Sequence, residues 1–269
     1  MKQTKTIAIT LLLLALVVSP PLRSQTKVDS TRIVKVLSFN ILGGRTTKND
    51  FNLDVLAKLI NDADPDFVAM QEVDYKVNRS KKYDLATELG WRTKMAPIFA
   101  RAMYYDGGEY GEGVLSKYSF LNTRNVALPY IPGQEPRAAL EVTSELPSSK
   151  DTISFIGTHF AHEGKPGRIL QAKKINEMVS NNKYPTILVG DLNAVPGSEP
   201  INILEEVWNP TYDRENPQPT IPSDNPKAKI DYVMCYPKNR WRVLKRKVIA
   251  DTYASDHCAY LVTLELLDE

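Results

Sequence analysis

Short runs of β-branched and apolar residues, each broken by a polar or turn-forming cluster, recur along this chain and set its first reading. Strands are predicted at Ile33 to Phe39, Phe67 to Met70, Ala138 to Val142, Thr152 to Thr158, Thr186 to Val189, Ile230 to Cys235 and Cys258 to Leu264. Helical spacing is predicted over Asn52 to Asn61 and Arg168 to Asn181. Ala100 to Gly113 mixes glycine, aromatic and acidic residues without a sustained period, and Asn209 to Lys227 holds five prolines, so both read as long loops. Strands interleaved with helices make the class α/β.

One apolar run stands apart. Ile7 to Val18 is apolar except for Thr10 and follows Lys2 and Lys5, the pattern of a secretory signal and too short for a membrane span. The expected organisation is a signal peptide over 1–24, cut near Ser24, and one catalytic domain over 25–269, because no repeat, charge block or linker divides the rest. The expected location is secreted or periplasmic, with no stable membrane span after cleavage. Removing Lys2, Lys5 and Arg23 from the formal net charge of +2 leaves −1. A chain so balanced has no bulk positive field with which to grip duplex nucleic acid, although a local patch is allowed.

Cys235 and Cys258 are too few for a disulfide scaffold and lack zinc-site spacing. A single bridge is allowed in an oxidising compartment. Strand alternation, however, puts Cys235 on the face of Asp231 and Cys258 on the face opposite His257, which predicts two buried free thiols.

Candidate chemistry gathers where apolar strands stop. Asn40 follows VKVLSF, Glu72 follows DFVAMQ, His159 closes the Thr152 strand, Asp191 and Asn193 follow ILVG, and Ser255, Asp256 and His257 announce the last strand. Strand ends collect at the rim of a sheet, so groups far apart in sequence can share one pocket. Each alone also reads as a turn or cap. If the strand continues, Asp191 and Asn193 share the face of Ile187 and Val189, setting a carboxylate beside an amide. Carboxylates such as Glu72 suit Mg²⁺ or Mn²⁺, and a histidine oriented by a carboxylate supplies acid–base chemistry. That combination is what phosphate ester hydrolysis needs. His162 reads as a shaping or substrate-contact residue, and Arg137 as a contact to phosphate oxygens or as a solvated arginine at a strand start.

Taken in order, VLSFNILGG, PDFVAMQEVD, YGEGVLS, THFAH, ILVGDLNAVPGSEPI, KIDYVM and SDHCAYLV resemble the endonuclease/exonuclease/phosphatase superfamily, over nearly the whole chain after the signal segment. The resemblance implies a four-layer α/β sandwich of two packed mixed sheets flanked by helices. It implies that Glu72 is the main metal ligand with Asn40 close by, that Asp191 and Asn193 align water and phosphate, and that His257 is the catalytic histidine oriented by Asp231. Asp256 is implied as a carboxylate either on the metal side or one layer behind it, and His159 as a donor to the phosphate or leaving oxygen. Arg168 and Gln171 follow THFAH as braces of that loop. In relatives the Tyr110 block often reads Tyr-Gly-Asn-Ala; here Glu112 stands where an amide is common. The leading expectation is a hydrolase of a small or lipid-derived phosphate ester. A secreted nuclease, with nucleic acid as substrate, and a noncatalytic binding protein on the same scaffold are the alternatives.

Overall fold

In the computed structural model of the protein, residues 28–180 and 182–268 are described. The expected signal peptide, its cleavage near Ser24 and the Asn181 end of the second expected helix lie outside them. No helix among the described residues is long and apolar enough to cross a membrane.

Among the described residues, twelve strands form two six-stranded sheets. The first sheet holds β1 (Ile33–Asn40), β2 (Phe67–Tyr75), β3 (Ala96–Tyr105), β4 (Gly108–Ser116), β11 (Trp241–Ile249) and β12 (Ala259–Leu266), in the order β11-β12-β1-β2-β4-β3. The second holds β5 (Asn122–Ala127), β6 (Ala138–Glu145), β7 (Thr152–His159), β8 (Thr186–Asp191), β9 (Asn209–Pro210) and β10 (Asp231–Tyr236), in the order β5-β6-β7-β8-β10-β9. Each sheet has one parallel pair, β1 with β2 and β7 with β8, among antiparallel neighbours, so both are mixed.

The sheets pack face to face over a core that includes Val36, Phe67, Phe155, Ile187, Val233 and Val262. Phe67 and Phe155 stack across the interface at 5.1 Å between ring centroids. Outside the first sheet lie α1 (Leu53–Ala63) and α2 (Leu85–Thr93), with Leu56, Ile60, Leu85 and Leu89 covering Leu37 and Met70. Outside the second lie α3 (Lys165–Val179) and α4 (Glu199–Val207), with Ile175, Ile201 and Leu204 packed near Trp208 and Leu188. The result is the expected four-layer sandwich, and both cysteines are buried and free.

Local chemistry sets the helix starts. Asn52 is the cap of α1, its side chain accepting from the Val55 amide at 3.3 Å, and Asp84 caps α2 in the same way through Thr87.

The expected loop over 100–113 is instead the β3–β4 hairpin. Its turn is Asp106-Gly107, both residues at positive φ (41° and 75°), the pairing that lets a two-residue turn follow the twist of its strands. Alternation is missing because β4 is buried nearly throughout, leaving no polar face to mark the period. Nor does β2 stop at Glu72: it runs to Tyr75 through a bulge in which Gln71 and Glu72 oppose Glu112 alone. The segment after Asn209 is largely irregular, as expected.

Candidate functional site

Strand register assembles the site. His159 on β7 pairs with Asp191 on β8, and Asp191 pairs with Asp231 on β10, so three ionisable residues stand abreast at one level of the second sheet. The first sheet contributes Asn40 from the end of β1 and Glu72 from the bulge in β2, where φ of 59° turns the carboxylate away from the ladder. The loop before β12 adds His257. A cleft of about 210 Å³ opens here, with Glu72, Arg137, His159, Asp191, Asn193 and His257 in its lining. Asn40 and Asp231 are fully buried behind it.

The Asp231 carboxylate lies 3.1 and 3.2 Å from Nδ1 of His257. Burial works against charge on that imidazole, but the Asp231, Asp191 and Asp256 carboxylates outweigh it and push its pKa up to about 10. His159 is the opposite case. Burial, then the positive neighbours Arg137 and His257, hold it well below the usual range, so it is neutral. Arg137 Nη1 lies 3.2 Å from His159 Nδ1, and an arginine can only donate. Nε2, on the other side of the ring, faces Asp191 Oδ2 at 3.4 Å.

Asn193 leaves the strand at φ 47°, so the simple alternation expected for it does not apply. It still reaches the site: its amide nitrogen is 3.0 Å from His159 Nε2 and donates to the Phe160 carbonyl at 3.0 Å, while its backbone amide donates to Asp191 Oδ1 at 2.9 Å. Arg137 is a fixed part of the cleft and not a solvated strand-start arginine, being 2 % exposed. Its Nη2 donates to Glu135 Oε2 at 2.8 Å and its Nη1 to the Tyr110 hydroxyl at 3.3 Å. Gln171 accepts from the Ala161 amide, and Arg168 donates to the Ala161 and His162 carbonyls, so both brace the loop after His159.

Asp256 sits half-buried beside His257, accepts from Ser255 Oγ at 3.4 Å, and is not among the residues lining the cleft. Asn40 is bonded to Glu72 Oε1 at 3.1 Å and Asp191 Oδ2 at 3.4 Å through its NH₂, while its oxygen accepts from Leu42. A donor thus lies between two carboxylates. Burial pushes Asp191 up to about 7, with His257 opposing and Asp231 and Glu72 adding to the rise. Crowded, oxygen-rich carboxylates of this kind fit a hard divalent cation, and Asp191, Asp231 and His257 form a group close enough to hold a metal ion.

Arg79 lines the cleft without a sequence signal of its own beyond its place seven residues after Glu72. Its Nε and Nη2 grip buried Asp74 at 2.8 and 2.9 Å, and its guanidinium lies 4.7 Å from the Tyr105 ring and 5.6 Å from the Tyr110 ring.

The profile of the Endonuclease/Exonuclease/phosphatase family matches residues 37–257. Among solved structures, an endonuclease/exonuclease/phosphatase from Beutenbergia cavernae superposes with a TM-score of 0.73 at 21 % identity, over 88 % of this chain and 72 % of that one. A mannosyl-6-phosphatase from Bacteroides thetaiotaomicron gives 0.70 at 17 %, over 86 % and 99 %. The human Nocturnin catalytic domain gives 0.68 at 19 %, over 87 % and 94 %. At such identities the superpositions speak for the fold alone. No curated protein sequence matches the chain.

Proposed function

Because the chain belongs to the endonuclease/exonuclease/phosphatase family, whose members hydrolyse phosphate esters, we propose that it is a divalent-metal-dependent hydrolase of a small phosphate ester. The observation that carries this reading is the meeting of Glu72, Asp191 and His257 in one cleft, with the Asp231–His257 pair closed at 3.1 Å. The apolar run before Ser24 supports export to the periplasm or beyond.

Glu72 would hold Mg²⁺ or Mn²⁺, with Asn40 and Asp191 beside it once the Asn40 amide is turned over, and Asp256 as an outer carboxylate. The cation, when bound, would draw charge from the phosphoryl oxygens. Asp191 and Asn193 orient water and phosphate. Asp231 holds the His257 ring by Nδ1, so that Nε2 would exchange a proton on the cleft side. His159 and Arg137 would donate to phosphoryl oxygens as charge develops there.

Turnover of a panel of phosphate esters with Mg²⁺ or Mn²⁺ tests the reading. Glu72→Ala and His257→Ala should each cost at least about 10²-fold in kcat. Wild-type rates in both would overturn it, and binding without turnover under any divalent metal would point to the noncatalytic alternative. The Glu135 and Glu163 carboxylates beside His162 oppose a nuclease reading, which digestion of plasmid and oligonucleotides would restore.

A further inference from the structure

Beyond the reacting groups, the cleft continues in an arc that the hydrolytic chemistry does not use. From Arg137 it runs one way to Glu135 and His162, and the other way through Tyr110 to Arg79 and Tyr105. Three properties of the arc define what fits it. Tyr105 is 38 % exposed and held against the Arg79 guanidinium at 4.7 Å, so it offers a fixed aromatic surface. Arg79 is neutralised by Asp74 through Nε and Nη2, which leaves Nη1 as a donor carrying no net pull for a second anion. Glu135 is tied to Arg137 through Oε2 alone, so Oε1 is a fixed acceptor that repels negative charge.

A fixed donor, a fixed acceptor and an aromatic surface in a cleft of about 210 Å³ match a compact, uncharged ring bearing hydroxyl groups. Hydroxyls both donate and accept, and the C–H face of such a ring carries the partial positive charge that the negative face of an aromatic ring attracts. The volume lies below the roughly 300–1,000 Å³ of clefts that take larger ligands. A second phosphate would meet Glu135, and an acyl chain would find Met103 as the aliphatic lining. We propose that the arc is the leaving-group subsite and that the substrate is a sugar carrying one phosphate monoester. This rests on the hydrolase reading above and names its substrate class.

The experiment compares kcat/KM, with Mg²⁺ or Mn²⁺ present, for three esters: methyl phosphate, whose leaving group is too short to reach Tyr105; a hexose 6-phosphate; and the same phosphorylated hexose at the end of a disaccharide. The expected result is a preference of at least about tenfold for one or both sugar esters over methyl phosphate, with their order telling whether the sugar arrives free or at a chain end. Tyr105→Ala should shrink that ratio about tenfold, chiefly through KM, and Tyr105→Phe, which keeps the ring, should restore it. If wild type cleaves methyl phosphate without preferring either sugar ester, or if Tyr105→Ala leaves the ratio unmoved, the subsite assignment is overturned while the hydrolase reading stands. If wild type cleaves no phosphate ester, the hydrolase reading itself falls.

Discussion

Glu112 shows how one residue can depart from a pattern and keep its sense. It is fully buried, and neither carboxyl oxygen has a hydrogen-bond partner. Burial pushes its pKa up to about 8, against Arg137 and with help from Asp191 and Glu72. At neutral pH it holds its proton, and an uncharged acid is close in size and polarity to the amide that relatives often carry there. Because the folded pKa lies above the unfolded 4.5, the folded state binds the extra proton between pH 4.5 and 8. Stability from this group is therefore complete below that window and falls as pH rises through it. Glu112→Gln should fold and lack this slope, so that wild type loses stability relative to the variant by at most about 1.4 kcal/mol per pH unit across the window. Urea unfolding in chelator at pH 5, 6.5 and 8 measures it, and parallel pH curves would refute it. Sequence reading flagged this position but could not assign its charge, which depends on burial. Arg79 was invisible for a similar reason: its importance comes from Asp74 and two tyrosine rings, and only the bulge and the hairpin bring them together.

Strands that are apolar along most of their length were legible, and those at the margins were not. The strands supplying His159, Asp191 and Asp231 were found because their cores are nearly all apolar. The edge strand β11, WRVLKRKVI, pairs on one side only and carries the basic residues that keep exposed edges from pairing further, which hides its alternation. Another missed edge strand, β5, is mostly exposed and polar. At the heart of the second sheet, Gly190 lets β8 lie close to β7: a Cβ there would stand 1.9 Å from the Thr158 carbonyl oxygen. Gly190→Ala should cost about 1–3 kcal/mol by overpacking and lower kcat as well, since the same pairing sets His159 beside Asp191. Urea unfolding and turnover by the folded fraction check this, and an unchanged protein would disprove it.

For the whole molecule, the near-neutral balance after residue 24 bears on how substrate arrives. If the substrate is small and singly phosphorylated, kcat/KM should change by less than about threefold between 50 and 200 mM salt, whereas cleavage of nucleic acid held by several phosphate contacts would fall far more steeply. A steep decline with the preferred ester would contradict the small-substrate reading. The layered architecture itself came from the family resemblance; strand and helix patterns alone reached only the α/β class, because how two sheets face each other depends on contacts between distant segments.

Asn40 is rooted in one sheet, while Asp191, to which its amide donates, belongs to the other. The cleft is therefore a joint, and its precision is the precision of the joint. A shear of about 1 Å between the halves could cost some hundredfold in rate while every ladder within each half stayed whole.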